Sequence, residues 1–222
     1  MSELFSKLRK FNEDTNGLTN ETDLQGKFEE LAKTFLYGGY IQVGDDYKVY
    51  IRTVEFYFHS EKDGGVHDPI VYHRNGRDLA EAPYFPIMTL HAHASGFDIT
   101  FEKKGEYRAS ALIRSYEVKD KDGKILVWNK EKKMFDVPDN KECNTQKKEY
   151  NTQSTYLYAF LNGFSLGDSN VIKWIDYQRT QLQDITKRAR QNVFRSESEY
   201  EYKKIKGDKC TREWSFTRED NV

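Results

Sequence analysis

Tyr47-Lys48-Val49-Tyr50-Ile51-Arg52-Thr53-Val54-Glu55-Phe56-Tyr57-Phe58-His59 is the stretch whose reading decides the fold. Its apolar residues alternate with period two, which predicts a β-strand. Val54, Phe56 and Phe58 point one way, while Thr53, Glu55, Tyr57 and His59 share the other face. The first set requires a core to pack against. The second reads either as a solvated face or as the start of a site, because a carboxylate beside an apolar layer is costly unless it is paired or used.

Upstream, the spacing of Leu4, Phe5, Leu8 and Phe11 predicts a short amphipathic helix over residues 2–12. Asn12 to Asn20 is polar and reads as a loop. A second helix is expected from Asp23, with Leu24, Phe28, Leu31, Ala32, Phe35 and Leu36 on one face, ending at Gly38-Gly39. Strands follow over 40–44 and 47–59, joined by a turn at Gly44-Asp45-Asp46.

Downstream, residues 60–84 form a long irregular stretch of the kind that is functional or disordered. A hairpin is expected from 87–94 and 96–102, a strand over 107–118, a turn at Asp120–Lys124 and a strand over 125–129. Residues 130–153 are polar and lysine-rich. Residues 155–162 read as a short helix, and Val171 to Arg195 as a long amphipathic one capped by Asp168 or Ser169. Its apolar positions are Val171, Trp174, Ile175, Leu182, Ile185, Ala189 and Val193. Residues 198–216, with Lys206-Gly207-Asp208-Lys209 as the turn, read as a hairpin. The expectation is one α+β domain over residues 1–222: a helical N-terminus (1–38), a site-bearing sheet (40–129), and a C-terminal helix and hairpin (155–216). The sheet should be central, curved and mixed, mainly antiparallel, with helices flanking it.

Composition narrows the function classes. Among 222 residues, 35 Lys and Arg nearly balance 36 Asp and Glu, for a net charge of −1. A dedicated duplex-DNA binder usually carries a clear positive excess, so any basic surface must come from uneven distribution. Arg179, Lys187, Arg188, Arg190 and Arg195 give the predicted C-terminal helix a modest excess, which suits a solvated face or a phosphate backbone. Tyr200 and Tyr202 with nearby lysines suit a nucleic-acid surface or a protected edge hairpin. Cys143 and Cys210 are far apart and outside any ligand spacing, which points to free thiols. No window approaches eighteen apolar residues, and Met1-Ser2-Glu3-Leu4 lacks a signal layout, so no membrane association and a cytoplasmic location are expected. No obligate protein partner is evident.

Candidate chemistry gathers between Val54 and Arg114, which also contains all five histidines. Glu55 is the candidate acid. His91 and His93, spaced i, i+2 on a strand, project from one face about 7 Å apart. Such a pair suits a metal, a stacked base or a polar surface. Asp98 follows the Ser95-Gly96 turn. Arg114 lies beside Ala111, Leu112 and Ile113, so it needs an anionic ligand or an ion pair with Asp98 or Glu55.

Taken in order, these pieces resemble the alkyladenine (3-methyladenine) DNA glycosylases over about residues 28–118. That family carries L-A-x-x-L-L-G on a helix, and this chain has Leu31-Ala32-Lys33-Thr34-Phe35-Leu36. The family's V-E-x-E-A-Y strand is matched by Val54-Glu55-Phe56-Tyr57, and its D-P-x-x-H by Asp68-Pro69-Ile70-Val71-Tyr72-His73. Its Y-x-Y strand is similar to His91-Ala92-His93, its asparagine-containing strand to Asp98-Ile99-Thr100, and its V-L-L-R-A-L-E-P strand to Ala111-Leu112-Ile113-Arg114-Ser115-Tyr116-Glu117. The chain departs from the pattern where the family's hairpin carries a duplex-wedging residue, since here it turns at once through Ala94-Ser95-Gly96.

The resemblance implies the glycosylase fold and hydrolysis of the N-glycosidic bond of a modified purine, with no cofactor or metal. Glu55 would be the general base and Arg114 would orient it. Tyr57, His73, His91 and His93 would bind a flipped base, each ring contributing roughly 1–3 kcal/mol by stacking. Asp98 would stand where the family has asparagine. DNA, in a single strand or as a free nucleotide, is then the expected ligand. A non-catalytic nucleotide or single-strand binding module on the same fold is the second expectation. A metal protein using His91, His93 and a carboxylate is the third.

Overall fold

The computed structural model describes residues 2–14, 20–68, 71, 83–93, 96–137, 161, 171–177, 184–190 and 212–219. Two helices come first, α1 (Glu3–Glu13) and α2 (Glu21–Tyr37). Each starts at a side-chain cap. Ser2 Oγ accepts from the Phe5 N–H at 3.2 Å, and Asn20 Oδ1 accepts from the Asp23 N–H at 2.9 Å, satisfying orphan donors of the first turns. Glu21 and Asp23 add favourable charge at the positive end of α2. The buried faces are the predicted ones: Leu4, Leu8 and Phe11 on α1, and Leu24, Phe28, Leu31, Ala32, Phe35 and Leu36 on α2.

Ten strands follow: β1 (Gly39–Val43), β2 (Tyr47–Ser60), β3 (Leu90–His93), β4 (Gly96–Thr100), β5 (Tyr107–Asp120), β6 (Ile125–Asn129), β7 (Met134–Asp136), β8 (Ile172–Asp176), β9 (Ile185–Arg188) and β10 (Ser215–Arg218). The spine runs β3-β4-β5-β2-β1-β8. The edge of β2 away from β5 is shared, with β1 on its first part and β10 on its later part, and β9 pairs beyond β10. The molecule is α+β, as expected. The sheet curls, and every pairing among the described strands is antiparallel, where a mixed sheet was expected.

The expected helix from Val171 to Arg195 is overturned. Residues 172–176 pair with β1 from Gly39↔Asp176 to Val43↔Ile172, and residues 185–188 pair with β10. The edge of β1 offers a row of unpaired backbone groups, and Val171, Ile172 and Ile175 are β-branched, so non-local pairing overrides the local spacing. Asp168, Ser169, Leu182, Val193 and Arg195 lie outside the described residues. So does most of the short helix at 155–162, of which Leu161 is described as helical and fully buried. Of the expected hairpin over 198–216, residues 198–211 lie outside the described residues, and β10 takes β2 and β9 as partners.

Helices and sheet meet through aromatic rings. Phe28 stacks on Phe56 at 4.7 Å, and Phe35, Phe101 and Phe216 surround the same ring edge-on. Val54, Phe56 and Phe58 are all buried on this side. Each such side chain contributes roughly 1.5–3 kcal/mol by leaving water. Among the described residues no helix is long and apolar enough to cross a membrane.

Candidate functional site

The face of β2 opposite the helices is also buried. Glu55 is 3% exposed and Tyr57 1%, so the solvated-face reading does not hold for them. Register fixes their neighbours: Asp98 of β4, Leu112 of β5, Glu55 of β2 and Ser215 of β10 lie in one row across four strands. Directly paired antiparallel residues point to the same side, so this row defines the floor of the candidate site.

Irregular pairing supplies its cation. Between β2 and β5 the register shifts twice, so Arg52 is an extra residue on one strand and Arg114 on the other. Such bulges re-aim side chains. Arg114 Nε reaches Glu55 Oε2 at 3.0 Å, and the Tyr57 hydroxyl donates to the same oxygen at 3.1 Å. Both contacts fall on Oε2. Glu55 Oε1 has no hydrogen-bond partner among the described residues. Burial, and after it the charge of Glu55, pushes the Tyr57 phenol well above its ordinary range, so the hydroxyl stays a donor.

Beside this trio lies an arginine that sequence reasoning missed. Arg190 is fully buried, with its guanidinium 4.6 Å from the Tyr57 ring centroid and 4.9 Å from that of Trp214. It donates to the Phe56 carbonyl at 2.9 Å and pairs with Asp68 at 2.5 Å. Its expected place was a helix face, and no periodic signal marks it otherwise. Arg212 extends the stack, 4.9 Å from Trp214, and grips Glu21 of α2 through two nitrogens. Two buried oxygens here have no hydrogen-bond partner among the described residues: Ser110 Oγ, directly opposite Tyr57 on β5, and Asp68 Oδ1. Such atoms cost about 1–3 kcal/mol each unless they are used.

The other candidates are placed less closely. Asp98 is fully buried two strands from Glu55, near enough for its charge to act on Tyr57. His91 lies one strand further along the same row, its ring 4.5 Å from that of Phe85, and is not part of the Glu55 cluster. The backbone of His93 pairs with Gly96, and its side chain lies outside the described residues, as does His73. His59 packs against His67 at 5.0 Å, and its Nδ1 accepts the Asp68 N–H. Among the described residues no group of three His, Cys, Asp or Glu side chains is placed to hold a metal ion.

No family model matches the chain, and neither a curated protein nor a solved structure gives a significant match. The likeness to the alkyladenine glycosylases therefore rests on the motifs alone.

Proposed function

We propose that the protein is a divergent DNA glycosylase-like hydrolase that cleaves the N-glycosidic bond of a modified purine. The observation that carries this reading is the asymmetry at Glu55: Arg114 and Tyr57 both hold Oε2, leaving Oε1 for a water. In that role the carboxylate takes a proton from water as the hydroxyl oxygen bonds to the sugar C1′. The C1′–N bond breaks, and the base leaves with the bonding pair and then takes up a proton. The fixed geometry around Oε2 aims the base without consuming its free lone pairs.

The short β3–β4 connection bears on the substrate. His93 pairs with Gly96, so only two residues join the strands, with no length for a wedge that fills a vacated stack. This favours a base that is already unstacked, in a single strand or a free nucleotide, where extrusion costs least. Incubation with single-stranded oligonucleotides carrying hypoxanthine or alkylpurines, followed by abasic-site detection, tests the reading. The expected result is base release that falls about 100-fold or more in Glu55→Gln. Absence of release by the wild type, or no loss in Glu55→Gln, overturns it.

The same short connection and the net charge of −1 favour a second reading, a non-catalytic nucleotide or single-strand binding module. Calorimetry against nucleotides and single- and double-stranded oligomers separates the two. Binding without base release supports the module, and no binding to any of them removes it.

A further inference from the structure

On the helical side of the sheet, away from Glu55, a cleft of about 490 Å³ lies between α1 and α2. That volume falls within the roughly 300–1,000 Å³ range of small-molecule sites. Phe11, Leu31 and Thr34 are among its lining residues, each no more than 5% exposed. Tyr177, 49% exposed and tied to α2 by its N–H to the Gly38 carbonyl, adds an aromatic wall.

Charge at the rim is uneven. Four lysines face three carboxylates across the cleft. Lys7 is held by Glu3 at 3.2 Å and Lys27 by Asp14 at 2.7 Å. Lys10 and Lys33 are exposed and form no ion pair among the described residues. The Thr34 hydroxyl is a second, independent sign. A threonine inside a helix ordinarily bonds back to the carbonyl one turn earlier. Thr34 Oγ1 is buried with no hydrogen-bond partner among the described residues, on a residue that lines the cleft. An apolar wall, two uncommitted cations and an unsatisfied buried hydroxyl together describe a receptor for an amphiphilic anion.

We infer that the α1–α2 cleft binds a small organic anion, a carboxylate or phosphate with an apolar body. The body covers Phe11, Leu31 and Tyr177, the acidic head meets Lys10 and Lys33, and Thr34 supplies a hydrogen bond. This site is separate from the Glu55 cluster and does not depend on its chemistry.

Calorimetric titration of the full chain with dodecanoate and with 8-anilinonaphthalene-1-sulfonate tests the inference, with dodecyltrimethylammonium as the cationic control. The expected result is saturable one-to-one binding of at least one anion, none of the cation, and shifted methyl NMR signals at Leu31 and Thr34. Lys10→Glu with Lys33→Glu, both at exposed positions, should keep the fold by circular dichroism and weaken binding about tenfold or more. Glu55→Gln should leave binding unchanged. No saturable binding of either anion, equal binding of the cation, shifts confined to other regions, or undiminished binding by the double variant overturns the inference.

Discussion

Asp68 and Arg190 meet at 2.5 Å with both side chains fully removed from solvent. The pair ties the segment after β2 to the segment after β9, and Arg190 roofs Tyr57. Taking two charges out of water is costly, and removing only one of them is worse than never having buried the pair. Arg190→Met is therefore expected to lower the unfolding free energy by about 3–5 kcal/mol. Asp68→Leu combined with Arg190→Met removes the stranded carboxylate and should be less destabilised than Arg190→Met alone. Urea unfolding of wild type and the variants checks this; additive losses would mean that the two side chains are not coupled.

Tyr57→Phe isolates one donor at the site. The ring stays beneath Arg190, and the change removes only the hydroxyl that reaches Glu55 Oε2. Stability should fall by about 1 kcal/mol. Any Glu55-dependent base release should fall further than that figure implies, since Arg114, at 27% exposure, is left to hold the carboxylate alone. Denaturation and the abasic-site assay, run on the same preparation, measure the two effects.

His59 should give the fold a mildly acidic weakness. Its burial, and then the charge of His67, hold its pKa below the ordinary 6.5, although Asp68 and Glu61 oppose the shift. A histidine depressed in the folded state binds fewer protons there than in the unfolded chain. Its contribution is therefore complete above the unfolded value and is lost as pH falls through the folded one. Protonation would also take away the Nδ1 acceptor of the Asp68 N–H. The unfolding free energy should decline from about pH 7 to pH 5, and His59→Gln should flatten that limb. Glu117 titrates separately. Its burial works against ionisation, but Arg52 and Lys119 prevail and hold it below 4.5, so its loss comes at lower pH.

Local signals carried much of the fold. The alternation at Val54–His59, the helical spacings before Gly38 and the two-residue turn before Gly96 each report on neighbours close in sequence. The segment after Val171 defeated that reading for a physical reason. Val171, Trp174 and Ile175 fit a helical stripe, yet Ile172 to Asp176 are fixed by the distant edge of β1. At the site, Glu55 and Tyr57 were legible from strand parity, whereas the contact from Arg114 depends on a register shift that no local pattern encodes. Arg190 was hidden in the same way, because β9 and β10 must pair before it reaches Tyr57.

Gly39→Ala tests the pairing that replaced the expected helix. A Cβ at Gly39 would lie 2.4 Å from the Ile175 carbonyl oxygen and 2.6 Å from ring carbons of Trp174. Neither the β8 backbone nor a ring packed 6.3 Å from Phe35 can give way cheaply. The variant should lose about 1–3 kcal/mol, the range for overpacking. Amides of Gly39–Val43 and Ile172–Asp176 should exchange faster with solvent, while those joining β2 to β5 keep their protection. Gly44→Ala is the control. Gly44 sits at φ 55° with nothing within 4 Å of its added Cβ, so it should cost only backbone strain of about 1 kcal/mol. If residues 172–176 were helical instead, Gly39→Ala would touch nothing on that segment and its exchange would not change.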